Sequence, residues 1–333
     1  MIEGQSRVTD AAMQRLDFAS LNRGTKHSFA LDVVRLGTGV MLSVPLNIVV
    51  GTAVGPNLVL IAGVHGDESE GVLALMELWR ELEPSQVSGT VVMVPVANPP
   101  AFAAHRRTSP LDELDLNRVF PGRPDGKPSE RIAFCLVENV VKQANFVFSM
   151  HSWYATGTVL PYVEVPPDGP TAESSLRAAH AAGFSFIRAS QWPNGLLPKI
   201  ANNLGIPAIE AEIGGSGIST PANRELYKDH ALALMAHLGM GVLGPRNHFE
   251  REPRIVTHRD IPAPAGGILA VEVSLGAPVH AGQCLARIAD FSGTPHCEII
   301  AEGAATVAAV RMAASVAPGD VVFRLFSDPH HTA

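Results

Sequence analysis

Four residues of this chain could do chemistry together: His65, Glu68, His151 and Glu212. Each stands near the end of a short apolar run. Asn57 to Val64 (NLVLIAGV) leads into His65-Gly66-Asp67-Glu68, and Asn145 to Met150 (NFVFSM) leads into His151. Ala208 to Ile213 (AIEAEI) carries Glu212 and stops at Gly214-Gly215. If these runs are neighbouring parallel strands, all four side chains project from one sheet edge, the carboxyl edge where open α/β sheets bind ligands. Two imidazoles and one carboxylate form a three-ligand set typical of catalytic zinc, with the fourth position left for water. The remaining carboxylate could be that water's base. The combination points to a metallohydrolase.

Taken singly, the signals are weaker. Glu68 near a helix N-terminus is favourable through the helix dipole alone, and His65 could be a hydrogen-bonded loop residue. His151 after a buried strand has the alternative of a satisfied core histidine. Glu212 is harder to dismiss, because a carboxylate on an apolar strand is costly to desolvate unless paired or bound. Glu210 shares its face by strand parity. Two carboxylates that close either raise one pKa or call for a cation.

The elements around these residues read as an α/β fold. NLVLIAGV is apolar on both faces and bounded by Pro56 and Gly66, as expected of a buried parallel strand. A helix follows, with Asp67 as N-cap, Glu70 completing a capping box, and Val72, Leu75, Leu78 and Leu82 at helical spacing. Further strands are expected within Ser28 to Val50, over Thr90 to Asn98, and near Phe184 to Arg188. Helices are expected from Ser129 (as N-cap) to Lys142, near Thr171 to Ala182, over Leu197 to Leu204 and over Asn223 to His237. The proline-punctuated stretch from Pro99 to Pro128 reads as a long structureless connection, which in a compact domain is usually functional. This alternation predicts a mainly parallel mixed sheet with helices on both faces.

At 333 residues, two domains are the natural expectation. Residues 1–26 form a polar, loosely ordered lead-in. Gly244 to Arg254 reads as a linker, which divides the chain into an α/β domain over 1–245 and an all-β domain over 246–333. In the tail, Gly266, Val273, Val279, Gly282 and Arg287 recur as Gly303, Val310, Val316, Gly319 and Arg324, always 37 positions later. Two similar β-halves suggest a small pseudo-symmetric sandwich or barrel. The arrangement looks like the lipoyl/biotinyl carrier fold, but a carrier needs a turn lysine and the last lysine here is Lys228. A structural or site-capping module is the remaining reading.

Composition excludes other classes. The net charge of −7 is spread without blocks, which argues against nucleic acid and against a polybasic membrane anchor. Cys135, Cys284 and Cys297 lack metal-type spacing and read as reduced, partly buried thiols. No signal peptide is visible and no apolar stretch reaches about 18 residues, so the expected location is cytoplasmic.

The segment NPPAFAAHRRTSPLDELDLNRVFPG (Asn98 to Gly122), with AGVHGDESEG, MHS and AEIGGSG, resembles the succinylglutamate desuccinylase/aspartoacylase family, a branch of the zinc carboxypeptidase-like amidohydrolases. The motifs span Asn57 to Gly217 in the family's order, and the tail is similar to its C-terminal domain. The resemblance implies a zinc carboxypeptidase-like fold and one zinc per subunit, held by His65, Glu68 and His151. Glu212, in Glu212-Ile213-Gly214, matches the general base, and Asn117-Arg118 matches the pair that grips a substrate carboxylate. Arg107 is the better match to the arginine that polarises the scissile carbonyl, with Arg106 as the alternative.

The chain departs from the family at one place. Many members read Asp-Leu-His where this chain has Ser149-Met150-His151. Either the metal is held more loosely here or the neighbouring Glu210 compensates. The implied activity is hydrolysis of the amide bond of a small N-acyl amino acid that carries a carboxylate. A metallocarboxypeptidase acting on peptides and a non-catalytic metal-binding protein are the alternatives. Glu164 and Asp168 could favour a cationic amine such as a diamino acid; the plainer reading is that they are solvated.

Overall fold

The computed structural model describes residues 16–241 and 252–328. In chain order it runs β1 (Thr25–Arg35), β2 (Met41–Val50), β3 (Ala53–Ile61), α1 (Glu70–Glu81), β4 (Ser88–Val94), α2 (Pro99–Ala103) and α3 (Pro128–Asn139). Then come β5 (Phe146–His151), β6 (Gly157–Val165), α4 (Ala172–Ala181), β7 (Phe186–Ala189), α5 (Leu197–Asn203), β8 (Ala208–Gly215) and α6 (Pro221–His237). Strands β4, β3, β5 and β8 lie side by side and all parallel. On the β4 side, β2 and β1 extend the sheet antiparallel, and β6 pairs antiparallel with β8 on the other.

Strand parity sorts the core. Leu58, Leu60, Phe146, Phe148, Met150, Ile209 and Ala211 pack on one face with residues of α1, α4 and α6. Val59, Ile61, Val147 and Ala208 pack on the other with residues of α3 and α5. Burial on both faces is why these strands read as apolar runs. Truncating a fully buried ring such as Phe148 to alanine is expected to cost about 3–5 kcal/mol. The same parity puts Ser149 and His151 of β5 on the face of Val147, and Glu210 and Glu212 of β8 on the face of Ala208. The four polar groups therefore emerge on the α3/α5 side.

Local expectations differ from the structure in four places. Helix α1 starts at Glu70 with Ser69 as N-cap and no side-chain cap bond. Asp67 lies too early, because the turn that carries Glu68 under the histidines runs on to Ser69. Helix α3 starts one residue early, at Pro128. Ser129 does not cap it; its amide and hydroxyl instead donate to Asp112 Oδ2 and Oδ1, both at 2.8 Å. The Pro99 to Pro128 stretch is not structureless: it contains α2, a 3-10 turn over Leu116–Arg118, and that Asp112 anchor. The lead-in is also tied down where it is described. Phe18 is buried, and its amide donates to Gln143 Oε1 at 2.9 Å.

Past residue 252 the chain is all β: β9 (Arg254–Ile255), β10 (Thr257–Pro262), β11 (Gly267–Val271), β12 (Pro278–Val279), β13 (Cys284–Ala289), β14 (Pro295–Ile300), β15 (Ala305–Arg311), β16 (Ser315–Val316) and β17 (Val321–Ser327). The repeat is visible in the pairing. β10 with β17 mirrors β14 with β13, β11 with β13 mirrors β15 with β17, and β12 with β15 mirrors β16 with β11. The two halves enclose an apolar core that includes Leu269, Leu285, Ile288, Val307 and Phe323. β15 also pairs with β6, through Ala309↔Val159 and Val310↔Thr158, so the large sheet continues into this module. The expected boundary at 245/246 and most of the linker lie outside the described residues. The three cysteines are free thiols. Among the described residues, no helix is long and apolar enough to cross a membrane.

One histidine away from the site sets an acid limit on stability. His230 of α6 stacks on Phe184 with ring centroids 3.8 Å apart, and its Nδ1 lies 2.7 Å from the Ala182 carbonyl oxygen. Burial pushes its pKa down to about 4. The folded state thus favours the neutral ring, so this contribution is intact above the unfolded pKa of about 6.5 and is lost as pH falls through 4. Urea unfolding at about pH 7 and about pH 4.5 should show the wild type losing about 2–3 kcal/mol more than His230→Phe. Equal losses would remove His230 from the acid response.

Candidate active site

The carboxyl edge of β3, β5 and β8 brings the residues together. His151 ends β5, directly beside Glu212 of β8 in the sheet register, and Tyr162 of β6 stands on the far side of Glu212. One step back, Ser149, Glu210 and Glu164 form a second row across the same strands. His65 and Glu68 come in from the loop after β3. Gly66 is what lets that loop pack on α2, because a Cβ there would sit 2.0 Å from the Ala101 backbone.

His65, Glu68 and His151 are all buried, and one ligand atom from each lies within 4.8 Å of the others. Glu68 reaches both rings, with Oε1 2.6 Å from His65 Nδ1 and Oε2 2.9 Å from His151 Nδ1. The Nδ1 atoms are 3.3 Å apart. Each ring is held from behind at Nε2. Asp115 Oδ1 lies 3.1 Å from His65 Nε2, and Ser149 Oγ lies 2.9 Å from His151 Nε2. Imidazoles that bind metals are oriented by such partners on the other ring nitrogen. Two nitrogens and a carboxylate converging on one point, each ring braced outward, is a donor set that fits a divalent transition metal.

The electrostatics agree with a site built for a cation. Burial alone would raise Glu68, but the His65 and His151 rings overcome it and hold Glu68 below the usual carboxylate range. His151 is pushed up to about 10, as Glu210 and Glu68 outweigh its burial. Glu212 moves the other way. Burial first, then the Glu68 and Glu210 charges, push it well above the carboxylate range despite the opposing pull of His151. Its Oε2 is buried without a hydrogen-bond partner among the described residues. The hydroxyl of Tyr227 donates to the carbonyls of His151 and Ala211 behind this wall.

The loop between α2 and α3 supplies the arginines. Arg107 faces the cluster of His65, Glu68 and His151: its Nη1 is 3.3 Å from His65 Nδ1 and 3.6 Å from Glu68 Oε1, and Asp115 Oδ2 accepts from its Nε at 3.1 Å. Arg106 turns away and pairs with Glu113 in solvent. Asn117 is buried and bonded at both amide atoms. Its Nδ2 donates to Glu210 Oε2 at 3.3 Å, and its Oδ1 accepts from Leu197 N at 3.0 Å. Arg118 is exposed on the cavity wall, donating to the Asn117 carbonyl at 2.8 Å.

These groups line a cavity of about 530 Å³ whose other wall sequence reasoning largely missed. Glu164 is not solvated: it is buried, with Arg188 Nη2 2.6 Å from Oε1, Trp192 Nε1 donating to Oε2 at 3.2 Å and Tyr162 Oη donating to Oε1 at 3.2 Å. Arg324 of β17 brings the C-terminal module into the wall. It is clamped by Asp260 at 2.7 and 2.8 Å, stacked over Trp153 at 4.6 Å, and donates to Tyr162 Oη at 2.7 Å. Thr257 and His258 of β10 join it. The module therefore does cap the site. Asp115 is legible in sequence only as part of a motif: Arg107 precedes it in the same loop, but His65 comes from another.

Comparison with known proteins places this geometry. Residues 54–238 match the model of the succinylglutamate desuccinylase/aspartoacylase catalytic domain. The chain is 34% identical over 281 residues to an N-alpha-acetyl-L-2,4-diaminobutyric acid deacetylase of Halomonas elongata, covering 80% of this chain and 81% of that one. It superposes on a product-bound ectoine utilization protein of Ruegeria pomeroyi with a TM-score of 0.83 at 27% identity, over 92% and 96% of the two chains. A succinylglutamate desuccinylase/aspartoacylase structure from Rhodobacter sphaeroides gives a TM-score of 0.85 at 25% identity, over 94% and 98%.

Proposed function

Since the chain belongs to the succinylglutamate desuccinylase/aspartoacylase family, we propose that it is a zinc-dependent hydrolase of the amide bond in a small N-acyl amino acid, with an Nα-acylated diamino acid as its substrate. The observation that carries the reading is the convergence of His65, Glu68 and His151, with both rings braced at Nε2. When bound by these three residues, zinc would supply Lewis acidity and make water a nucleophile near neutral pH.

The chain's own groups would do the rest. Glu212 takes the proton of the attacking water at its unpartnered Oε2 and returns it to the leaving nitrogen. The products are a carboxylate and a free amine. Arg107, fixed by Asp115, stabilises the charge that develops on the acyl oxygen. Arg118 grips the substrate carboxylate with its planar fork, while Asn117 holds the turn from behind. Trp153 and the C-terminal Arg324 close the far side of the cavity and exclude longer chains.

The diamino acid preference is supported by the Halomonas elongata relative. The test is a turnover panel of Nα-acetyl-2,4-diaminobutyrate, N-acetylaspartate, N-succinylglutamate and N-blocked dipeptides, run on metal-depleted and zinc-reconstituted protein. Zinc-dependent release of acetate, greatest with the diaminobutyrate compound, is expected. Preference for dipeptides would favour a carboxypeptidase, and no turnover of any compound would leave a binding protein.

A further inference from the structure

The two histidines are held in matching ways. Both Nδ1 atoms face Glu68, and behind each Nε2 stands a carboxylate: Asp115 at 3.1 Å from His65, Glu210 at 3.4 Å from His151. Ser149 lies nearer to His151 at 2.9 Å but brings no charge. One residue joins the two carboxylates. The Asn117 amide donates to Asp115 Oδ1 at 2.8 Å, and its side chain donates to Glu210 Oε2 at 3.3 Å. Asn117 immediately precedes Arg118, the exposed cation of the same 3-10 turn.

An imidazole that offers the Nδ1 lone pair carries its proton on Nε2 and needs an acceptor there. Glu210 is 7% exposed on a strand whose neighbours Ile209 and Ala211 are fully buried. A carboxylate in that position is tolerated only with charged or hydrogen-bonding partners. Among the described residues, His151 and Asn117 are its partners.

We propose that Glu210 is a positioning residue with two attachments: it orients the His151 ring for metal binding, and through Asn117 it ties that ring to the turn that carries Arg118. Metal affinity and the grip on the substrate carboxylate are coupled through one side chain. This rests on the zinc reading given above.

The test is a zinc titration against a chromogenic chelator, with KM and kcat measured on the same preparations. Glu210→Gln should weaken zinc binding by about 10–100-fold and raise KM, while the metal-free protein melts as the wild type does. The double variant Ser149→Asp/Glu210→Gln returns a carboxylate to His151 from β5 but not the bond to Asn117. It should recover zinc affinity and keep the raised KM. Zinc affinity within twofold of wild type in Glu210→Gln would overturn the proposal. If Glu210→Gln does not fold, the double variant decides alone: a wild-type KM in it overturns the coupling. A wild-type chain that takes up no zinc would overturn the metal reading and this inference together; normal wild-type uptake with an unaffected Glu210→Gln overturns this inference alone.

Discussion

Glu212→Gln is expected to lower kcat by about 10²–10⁴-fold, the usual contribution of a positioned general acid–base, with zinc uptake unchanged. Glu212 is not among the three groups whose ligand atoms converge. Its side chain lies one strand away from His151 in register, and its Oε2 is buried without a partner among the described residues. Glutamine keeps the volume and replaces the proton-accepting carboxylate with an amide that cannot serve as a base. Steady-state kinetics together with metal content decide the matter: a variant that keeps most of its kcat, or one that loses zinc along with activity, would deny Glu212 the role of base.

Arg107→Ala should cost about 10²–10³-fold in kcat, the range found on removing one oxyanion donor. Arg106→Ala should change kcat/KM little. The two side chains are adjacent in sequence yet face opposite ways. Arg107 is held by Asp115 within reach of His65 and Glu68, whereas Arg106 pairs with Glu113 in solvent, where such pairs are worth little. Equal losses in the two variants would mean that the loop's total charge matters and not the placed guanidinium. Arg107→Lys should rescue only part of the loss, since an ammonium cannot hold Asp115 and face the acyl oxygen with the same fork.

The convergence of His65, Glu68 and His151 beside Glu212 was legible because strand parity and the ends of apolar runs are properties of sequence. His151 and Glu212 needed only the assumption that β5 and β8 are adjacent and parallel, and they are register partners. The preference for Arg107 over Arg106 came from the motif match and not from the residue pattern itself. Which of the two faces the site depends on the turn at His105, whose positive φ of 50° redirects the chain just before both arginines. Helix starts failed for a related reason: Asp67 and Ser129 have capping chemistry, but tertiary contacts placed the first turns elsewhere. The cavity's far wall was the least legible part. Glu164 reads as a surface acid until Arg188, Trp192 and Tyr162 are gathered around it. Arg324 showed itself in sequence only as one member of a repeat, although Asp260 and Trp153 aim it into the site.

Zinc titration of the metal-free wild-type chain beside His151→Ala tests the central assignment most directly. One zinc per wild-type chain is expected, with binding lost or weakened by several orders of magnitude in His151→Ala, since two of three protein ligands cannot close the set. Equal stoichiometry and affinity in the two proteins would contradict a metal centre at His65, Glu68 and His151.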